Sequence, residues 1–468
     1  MSKHTVEKIG GTSMSRFGEI VDNVILGNRG QHEIYNRVFV VSAYGGITNA
    51  LLEHKKTGEP GVYQYFKEAD SRWEDALDQV AVKMKEMNVV MGDAGLDIAA
   101  ADEYVDQRIE GIRNCLRDIC RICSYGHFHI SEFLMAAREL LSSVGEAHSA
   151  WNSVNILNNR GINSTLVDLT GWKDNEAKPF AEKIRAEFES VEYDKCISIA
   201  TGYTKCKEGL MHTFDRGYSE ITFSKIACVT GAREGIIHKE FHLSSGDPNL
   251  MGLDKVEIIG RTNFDVADQL ADLGMEAIHP KASKEMENLS IPIRVTNAFE
   301  PDHPGTLIDT TFRSDFPRVE MVTGRDDIIA IEVHDPDMVG QSGYDYKIMS
   351  VFNEHGVSYT AKNTNANTIT HFLPEKDVKE QFVMDLKTKF SGALVSLKQV
   401  AIVSAIGSNM KKPGFLSRSA EDLAENEINI LAVNQCMRQV NMQFVVERQD
   451  YEKALKSLHK GLVEEEQN

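Results

Sequence analysis

The first residues that could do chemistry lie near the start of the chain, in the run from Lys8 to Ser13, which reads Lys-Ile-Gly-Gly-Thr-Ser. The adjacent glycines Gly10 and Gly11 let a backbone turn tightly and approach a phosphate group. A helix that begins at Thr12 would present unpaired N–H groups to the same anion, and Lys8 adds a positive charge. The run is not a Walker A loop, because no Gly-Lys-Ser/Thr follows at the required spacing. It predicts either a phosphate-binding turn or an ordinary turn.

A second glycine turn, Gly45-Gly46, follows another predicted strand and carries hydroxyl groups on either side, at Ser42 and Thr48. Glycine turns that follow parallel strands lie at the carboxyl edge of one sheet, where open α/β folds bind their ligands. The pattern therefore predicts that this loop faces the same site as the first glycine turn. The alternative is an ordinary turn between a strand and a helix.

Two further segments place charged side chains beside glycine. Glu146 follows Gly145 and leads into a helical run, and Arg216 precedes Gly217 in the segment Thr213–Thr222. An arginine can form a planar fork that binds an external carboxylate. For Arg216 the alternative is a solvated arginine in a loop.

Cysteine side chains are a second class of candidate, because thiolates can be metal ligands. There are seven in the chain, an odd number that suits a reducing compartment. Cys120 and Cys123 are three residues apart, with His127 and His129 just beyond. A zinc site would need a second well-spaced pair of ligands, and Cys115 and Cys120 lie in a helical pattern, so we expect ordinary buried thiols rather than a metal site.

These motifs must be positioned by a larger framework. From Thr5 to about Thr306, short apolar runs alternate with helical patterns, which predicts an α/β fold with an open, mostly parallel sheet and helices on both faces. Strand candidates are Val38–Ser42, Ile197–Thr201 and Val256–Ile259. The helix after the first turn carries apolar residues at helical spacing, namely Phe17, Ile20, Val21, Val24 and Ile25. The charged, helix-rich stretch from Glu53 to Cys123 is expected to form a lid or bundle on the sheet.

Two similar units follow a boundary rich in proline and glycine at residues 297–306. Each is predicted to be a β-α-β-β-α-β unit of the ferredoxin-like α+β type, and together they form an internal repeat. The predicted elements of the first unit are Ile328–Val333, a helix around Tyr346–His355 and a strand starting near Val357. Those of the second are Val400–Ser404, a helix around Leu416–Glu425, and the strands Ile428–Val433 and Met442–Val446.

Composition and charge limit the classes of function. The 468 residues suggest two to four domains, and the formal charge of −19 argues against a binder of duplex nucleic acid. That acidity fits a high-salt or solubility adaptation. The N-terminus has no apolar signal region, and no stretch approaches 18 apolar residues. We therefore expect a cytoplasmic protein with no nucleic-acid or membrane partner.

Taken in order, these motifs resemble those of the aspartate kinases of the amino acid kinase superfamily, over nearly the whole chain. Leu273–Lys281 and Ile291–Val295 fall in the family order as well. The two C-terminal units look like the paired ACT domains of such kinases. The resemblance implies a kinase domain at residues 1–306, a first ACT domain at 322–395, and a second at 396–468. The strand 307–312 is expected to complete the second.

The resemblance also implies roles for individual residues. The expected reaction is transfer of the γ-phosphoryl group of ATP, bound with Mg²⁺, to the side-chain carboxylate of L-aspartate, with no protein ligand set for the metal. The implied catalytic residues are Lys8, Gly10, Gly11 and Glu220. The implied substrate contacts are Ser42, Thr48, Glu146 for the α-ammonium group, Arg216 for the α-carboxylate group, and Ser219. The implied ATP contacts are Lys8, Gly10, Gly11, Thr12, Ser13, Gly231 and Lys281.

The chain departs from the family pattern in two places. The usual Ser-Asp is Ser219-Glu220, and Tyr218 replaces a glycine. The nucleotide segment reads Gly-Ala-Arg-Glu-Gly from Gly231, and Asp247-Pro-Asn follows only after a longer gap. We therefore assign no adenine contacts beyond this segment. The divergence and the acidity look most like the aspartate kinases that accompany ectoine synthesis.

Other functions remain open at this point. One alternative is another amino-acid carboxylate kinase, for glutamate or acetylglutamate. A second is a non-catalytic sensor that retains only the amino-acid-binding ACT pair. The product would supply either aspartate-family amino acids (lysine, threonine, methionine) or ectoine precursors. An amino-acid effector at the ACT domains and a homodimer or higher homo-oligomer are further expectations from the resemblance.

Overall fold

Short runs of branched and aromatic residues form the centre of the larger sheet. The run Arg-Val-Phe-Val-Val at Arg37–Val41 is buried at every position, as is Ile-Ser-Ile-Ala-Thr at Ile197–Thr201. Burial on both faces, rather than alternation, is what a strand covered by helices on each side requires. The computed structural model describes residues 3–27, 29–30, 33–55, 57–214, 217–273 and 278–465.

The strands are numbered along the described part of the chain. They are β1 (Thr5–Ile9), β2 (Arg37–Val41), β3 (Ser164–Val167), β4 (Ile197–Thr201), β5 (Glu234–Lys239), β6 (Arg261–Asn263), β7 (Ile293–Asn297), β8 (Thr306–Asp309), β9 (Met321–His334), β10 (Ala361–Thr364), β11 (Thr368–Pro374), β12 (Leu394–Ile406), β13 (Ala432–Gln435) and β14 (Asn441–Glu447).

The α-helices are α1 (Gly11–Met14), α2 (Phe17–Ile20), α3 (Ile47–Leu51), α4 (Val62–Lys67), α5 (Arg72–Met91), α6 (Ile98–Cys123), α7 (Leu134–Asn159), α8 (Phe180–Phe188), α9 (Leu210–Phe214), α10 (Tyr218–Thr230), α11 (Pro248–Met251), α12 (Phe264–Asp272), α13 (Pro280–Asn288), α14 (Tyr344–Glu354), α15 (Glu380–Lys389), α16 (Phe415–Glu425) and α17 (Tyr451–His459). Helix α2 continues as a π-helical turn over Val21–Leu26, and α17 over Lys460–Glu464. Short 3₁₀ turns cover Gly92–Ala94, Ile130–Glu132, Pro336–Met338, Glu375–Asp377 and Arg448–Asp450. Among the described residues, no helix combines the length and apolar character needed to cross a membrane.

The chain divides into two compact units. The first comprises Met1–His242 with Ile278–Thr310, and the second comprises Leu243–Ala277 with Thr311–Asn468. The predicted boundary at 306 differs from this division, because it leaves residues 243–277 with the N-terminal part. The predicted strand Val256–Ile259 lies in this segment and is wrong, since Ile258 makes only an isolated bridge with Ser244.

In the first unit, strands lie in the order β3-β4-β2-β1-β5-β7-β8. All neighbours are parallel except β7 and β8, which are antiparallel. Ile9 at the end of β1 pairs with Val41 at the end of β2 and with His238 in β5. The loops after these strands therefore share the carboxyl edge of the sheet. This confirms the predicted fold class and the placement of both glycine turns at one edge.

The predicted helical lid is formed mainly by α5 and α6. Helix α6 buries Val105, Ile109, Ile112 and Leu116, which lie three or four residues apart on one face. Cys115 and Cys120 therefore lie on the outer face and are exposed, so the expectation of buried thiols is wrong for these two. Among the described residues, no three His, Cys, Asp or Glu side chains are arranged to hold a metal ion.

The second unit contains an antiparallel sheet in the order β10-β11-β9-β12-β14-β13. Strands β9 and β12 are long, and each contributes to both ferredoxin-like units. Residues Met321–Arg325 of β9 pair with Ile402–Ile406 of β12 and so complete the second of these units. The expectation that 307–312 supplies this strand is wrong, because Ile308 in β8 pairs with Ile293 of β7 in the other sheet.

Strand β9 contains a β-bulge where its two halves meet. Val400 of β12 pairs with Ile328, but Ile402 pairs with Arg325, so β9 carries one extra residue between these pairs. Beyond the bulge, Ile329 and Ile331 face α14 and α15. Before it, Val322 packs in the core that contains α16 and α17. Because of the extra residue, even-numbered residues face the helices before the bulge, and odd-numbered residues face them after it.

Candidate active site

An ion pair lies at the carboxyl edge of the first unit's sheet. The Nζ atom of Lys8, near the end of β1, is 3.3 Å from Oε1 of Glu220 in the first turn of α10. The other oxygen, Oε2, accepts a hydrogen bond from the backbone N–H of His279 at 2.6 Å. Burial acts to raise the pKa of Glu220, but Lys8, Lys239 and the His279 N–H outweigh it, so the pKa lies below its usual value. Glu220 is therefore an anion that holds Lys8 in place.

A second acidic side chain, Glu146, lies beside this pair, and its pKa is shifted in the opposite direction from that of Glu220. Glu146 is buried in α7, and its Oε1 atom accepts a hydrogen bond from Ser219 Oγ at 3.0 Å. Ser42 Oγ in turn donates to Ser219 Oγ at 3.2 Å. Burial raises the pKa of Glu146 to about 8, although Ser219 and Lys8 oppose the shift. The Oε2 atom is buried and has no hydrogen-bond partner among the described residues, so part of the acceptor capacity of Glu146 is unused.

Glycines open space at this edge of the sheet for different reasons. A Cβ atom at Gly10 would meet nothing nearer than Lys8 Nζ at 3.8 Å and Glu240 Oε1 at 4.0 Å. The space beside Gly10 is therefore bordered by one cation and one carboxylate. At Gly11 a Cβ atom would lie 2.6 Å from the carbonyl oxygen of Ala43. Gly11 is thus required by close packing of the two glycine turns, which differs from the predicted phosphate contact.

The remaining residues predicted to contact substrate or ATP differ in their exposure and in their hydrogen bonding. Ser13 is fully buried and its Oγ atom donates to Glu240 Oε1 at 2.7 Å, so its hydroxyl already has a partner. Thr12 is exposed in α1, and Thr48 is half-buried in the first turn of α3. Lys281 is exposed at the start of α13, with Nζ 4.7 Å from the centre of the Phe214 ring.

One predicted site residue is not brought to the others, and a second lies outside the described residues. Gly231 forms the C-terminal cap of α10, with φ of +65°, shortly before β5 begins at Glu234. It therefore lies at the amino edge of the parallel sheet, opposite Lys8, and its assignment as an ATP contact is not supported by its position. Arg216 lies outside the described residues.

Sequence reasoning missed functional candidates at the end of β5. Lys239 contributes to the low pKa of Glu220, and Glu240 accepts the hydrogen bond from Ser13. Lys239 ends the strand Glu234–Lys239 and Glu240 follows it, and this strand is not among those expected from the sequence. Had that strand been recognised, its position beside β1 would have indicated that Lys239 and Glu240 face the same edge.

Tyr218, which replaces a glycine of the family pattern, is buried beside this site. It is 3% exposed, and its ring lies 5.8 Å from that of Tyr203 in an edge-to-face arrangement. The preceding Gly217 caps α10 with φ of +82°, a conformation that favours glycine. The aromatic side chain is thus part of the packing that positions Ser219 and Glu220.

Comparison with known proteins gives two family matches and a set of similar full-length proteins. Residues 3–297 match the amino acid kinase family, and residues 403–462 match the ACT domain. Aspartate kinase Ask_Ect of Stutzerimonas stutzeri (strain A1501) is 50% identical over 466 residues, which cover 99% of this chain and 98% of that protein. Aspartokinase 1, chloroplastic, of Arabidopsis thaliana is 24% identical over 483 residues, covering 98% of this chain and 80% of that protein.

Solved structures share the fold. Aspartokinase III of E. coli in complex with aspartate and ADP (R-state) has a TM-score of 0.71 and 20% identity, covering 98% of this chain and 100% of its own. Aspartate kinase of Clostridium acetobutylicum has a TM-score of 0.72 and 19% identity, with the same coverage of 98% and 100%.

Proposed function

The chain belongs to the amino acid kinase family, as one of its aspartate kinases, and we propose that it transfers the γ-phosphoryl group of ATP to the side-chain carboxylate of L-aspartate. The product is 4-phospho-L-aspartate. The observation that best supports this assignment is the pairing of Lys8 with Glu220 beside the hydrogen-bonded Glu146 and Ser219 at one edge of the sheet.

The chemistry requires positioning rather than proton abstraction. The side-chain carboxyl group of aspartate has an unperturbed pKa of about 3.9, so it is already a nucleophilic anion at neutral pH. Catalysis then depends on bringing two anions together and stabilising the charge that develops during transfer. Lys8 would face the transferring phosphoryl group, and Glu220 keeps its side chain in that position.

Substrate recognition uses the other acid of the site. Glu146 would accept hydrogen bonds from the α-ammonium group, for which its Oε2 atom has no competing partner among the described residues. Ser42, Thr48 and Ser219 would supply hydroxyl groups to the substrate or the phosphate. Arg216 would bind the α-carboxylate group, a role that is proposed from the motif alone.

The backbone at Gly10 and the Nζ atom of Lys8 would contact the phosphate groups of ATP; the proposal is supported by the 3.8 Å between Lys8 Nζ and the position of a Cβ atom at Gly10. Thr12 and Lys281 would add contacts to the nucleotide. Mg²⁺ bound to the phosphates would neutralise part of their charge. These residues hold the nucleotide in the proposal, and Lys8 is the group that acts on the transferring phosphoryl group.

A coupled assay of ADP release tests the reaction. Wild-type protein should release ADP with aspartate and far less with glutamate or N-acetylglutamate. Lys8→Ala should lower kcat about 100-fold or more, as loss of a group that stabilises the transition state does, with a smaller effect on the KM for aspartate. Lys67→Ala, an exposed lysine on α4, is the control.

Other outcomes would overturn this proposal. A preference for glutamate or N-acetylglutamate would assign the chain to a different amino-acid kinase. Amino-acid binding with no phosphoryl transfer to any substrate would favour a non-catalytic sensor. An unchanged kcat in Lys8→Ala would remove the role given to that residue.

We further propose that the second unit is regulatory. Its two ferredoxin-like parts, which share the strands β9 and β12, would bind an amino-acid effector and associate with a second copy of the chain. In this proposal the enzyme acts in the cytoplasm, and its product enters the synthesis of aspartate-family amino acids or of ectoine. Light scattering with and without amino acids, together with inhibition assays, tests the first two points.

A further inference from the structure

Strand β5 ends with a half-buried lysine, Lys239, on the face of the sheet that carries Lys8. In the parallel pairing of β1 with β5, Lys8 lies beside Ile237. Because side chains alternate along a strand, Lys239, which comes two residues after Ile237, points to the same face as Lys8. Continuing the register by two residues brings Lys239 beside Gly10, at the turn that follows β1.

The two lysines lie where the order of the strands reverses. From β1 the chain continues to β2 on one side, whereas β5 lies on the other side of β1. In open α/β sheets a crevice forms at such a point, outside the carboxyl ends of the strands, and ligands bind there. The carbonyl oxygen of Lys239 accepts a hydrogen bond from the backbone N–H of Ala298 at 2.8 Å. Lys239 is therefore held on a fixed backbone at this crevice.

Glu220 lies close to both lysines. Its Oε1 atom pairs with Lys8 at 3.3 Å, and its Oε2 atom accepts the hydrogen bond from the His279 N–H. Burial acts to raise the pKa of Glu220, but the charges of Lys8 and Lys239 and the His279 N–H outweigh it. Since the Coulomb energy falls with distance, the ammonium group of Lys239 lies near the anion that holds Lys8. The two ammonium groups therefore act on one region of the crevice.

We propose that Lys239 is a second catalytic lysine, which contacts the terminal phosphate groups of the nucleotide together with Lys8. This inference rests on the kinase activity proposed above. Glu220 offsets part of the charge of Lys8, so a second cation is needed where a phosphate group and a substrate carboxylate meet. Negative charge spreads over the oxygens of the phosphoryl group during transfer, and a fixed ammonium group stabilises it. Lys239 stays protonated throughout and transfers no proton.

Calorimetric titration of the full-length protein with AMP, ADP and ATP, in Mg²⁺ and without aspartate, isolates the phosphate contacts. Lys239→Gln should weaken ADP and ATP about tenfold or more, as loss of a charge-assisted hydrogen bond does. AMP should change much less, because it lacks the terminal phosphate groups. Lys239→Arg keeps the charge and should recover most of the loss. The control is Lys195→Gln, which should change no affinity, since Lys195 precedes β4 at the amino edge of the same sheet and is 63% exposed.

Kinetics on the same variants give a second measurement. In the assay of ADP release, Lys239→Gln should lower kcat about tenfold or more and leave the KM for aspartate nearly unchanged. Removing the charge of Lys239 should also raise the pKa of Glu220. Because Glu220 must be ionised to hold Lys8, activity on the acidic side should then be lost at a higher pH than in the wild-type enzyme.

Several results would overturn the inference. These are no binding of ADP to the wild-type protein, unchanged ADP affinity in folded Lys239→Gln, equal losses for AMP and ADP, or an equal loss in Lys195→Gln. A lower kcat with unchanged ADP affinity would mean that Lys239 only keeps Glu220 ionised. Failure of the proposed function gives a different result: ADP would still bind through Lys239, but the wild-type protein would release no ADP with aspartate.

Discussion

Glu146 is the residue whose protonation should respond to substrate. With its pKa raised to about 8, the free enzyme carries a protonated Glu146 at neutral pH. An ammonium group placed against it favours the ionised form, so binding should release a proton. As pH rises toward 8, a larger fraction of Glu146 is already ionised before aspartate binds, so the KM for aspartate should fall.

Calorimetry in buffers of different ionisation enthalpy measures this release. At neutral pH the wild-type enzyme should release up to about one proton per aspartate bound. Glu146→Gln should abolish the release and raise the KM for aspartate about tenfold or more. Glu189→Gln, an exposed acid on the same unit, should change neither. Proton release that persists in Glu146→Gln would assign the titrating group elsewhere.

At the residue scale, much of the site follows from sequence. Lys8, Glu146, Ser219 and Glu220 were each expected from motifs, and the structure brings them together. The pKa of Glu146 could not be read from the sequence, because it arises from burial by distant segments. The packing role of Gly11 was hidden for the same reason, since its close neighbour is Ala43 on the next loop.

At the element scale, the start of α10 combines two departures from the family pattern. Tyr218 is buried, and Glu220 reaches Lys8 at 3.3 Å. An aspartate at position 220 is one methylene shorter, so Glu220→Asp should lower kcat/KM. Tyr218→Gly together with Glu220→Asp should recover activity, because the loop can then move inward.

The double-mutant cycle measures this coupling. Residues that share one partner commonly couple by about 0.5–3 kcal/mol, so the effects on kcat/KM should be clearly non-additive. Removing the Tyr218 ring also empties core volume, at a cost of about 3–5 kcal/mol for a large aromatic side chain, so rates must be normalised to the folded fraction. Additive effects would show that the two substitutions are independent.

A buried polar cluster links α5 of the helical lid to residues 42–46, which are called the substrate loop here because Ser42 is a proposed substrate contact. Asn88 on α5 accepts a hydrogen bond from Asn152 Nδ2 at 2.8 Å and lies 2.6 Å from His148 Nε2, both on α7. The ring of His148 contacts that of Tyr44 edge-on at 5.3 Å, in the loop that carries Ser42. Burial lowers the pKa of His148 to about 3, so the ring is neutral. The cluster therefore positions the substrate loop through hydrogen bonds and ring packing.

Asn88→Ala should weaken this positioning. It removes the shared acceptor and leaves buried polar groups unsatisfied, which costs about 1–3 kcal/mol. We expect a lower Tm and a higher KM for aspartate, with little change in the KM for ATP. Gln79→Ala, an exposed residue on the same helix, is the matched control. Equal changes in the two KM values would mean that the cluster only stabilises the fold.

Sequence patterns identified most elements of the second unit but misjudged their extents. Ile328–Val333 was predicted as a strand, whereas β9 begins at Met321. The first half was missed because Gly324 and three consecutive charged residues, Arg325 to Asp327, interrupt the apolar pattern. Such a pattern normally ends a strand, and only pairing with β12 over its whole length keeps it extended.

At the scale of the whole molecule, the interleaved connection of the two units limits where the chain can be cut. Leu243, Ile259, Val266 and Leu270 share a core with residues of β9 and β12, including Met321. A fragment ending near residue 320 would keep the first four side chains and lose their partners. We therefore expect that a cut at this point does not release a folded kinase domain.

We expect the fragment 1–320 to aggregate or to unfold without a cooperative transition, because burial of each such side chain contributes about 1.5–3 kcal/mol. Light scattering and thermal unfolding measure both properties, with the full-length chain as the control. A monodisperse fragment with a cooperative transition and aspartate-dependent ADP release would contradict this expectation.

The extra residue in β9 changes which positions of the strand face the helices. Before it, an even-numbered apolar residue faces them, and after it odd-numbered apolar residues do. Loss of one residue between Arg325 and Ile328 would remove the bulge and leave both halves of β9 in their present register with β12, so Glu332 would keep its side of the sheet. A single insertion or deletion elsewhere in β9 would turn part of the strand over unless a second change of length compensated for it. Length changes in β9 away from the bulge should therefore be inherited only in pairs, whereas single substitutions remain free to accumulate.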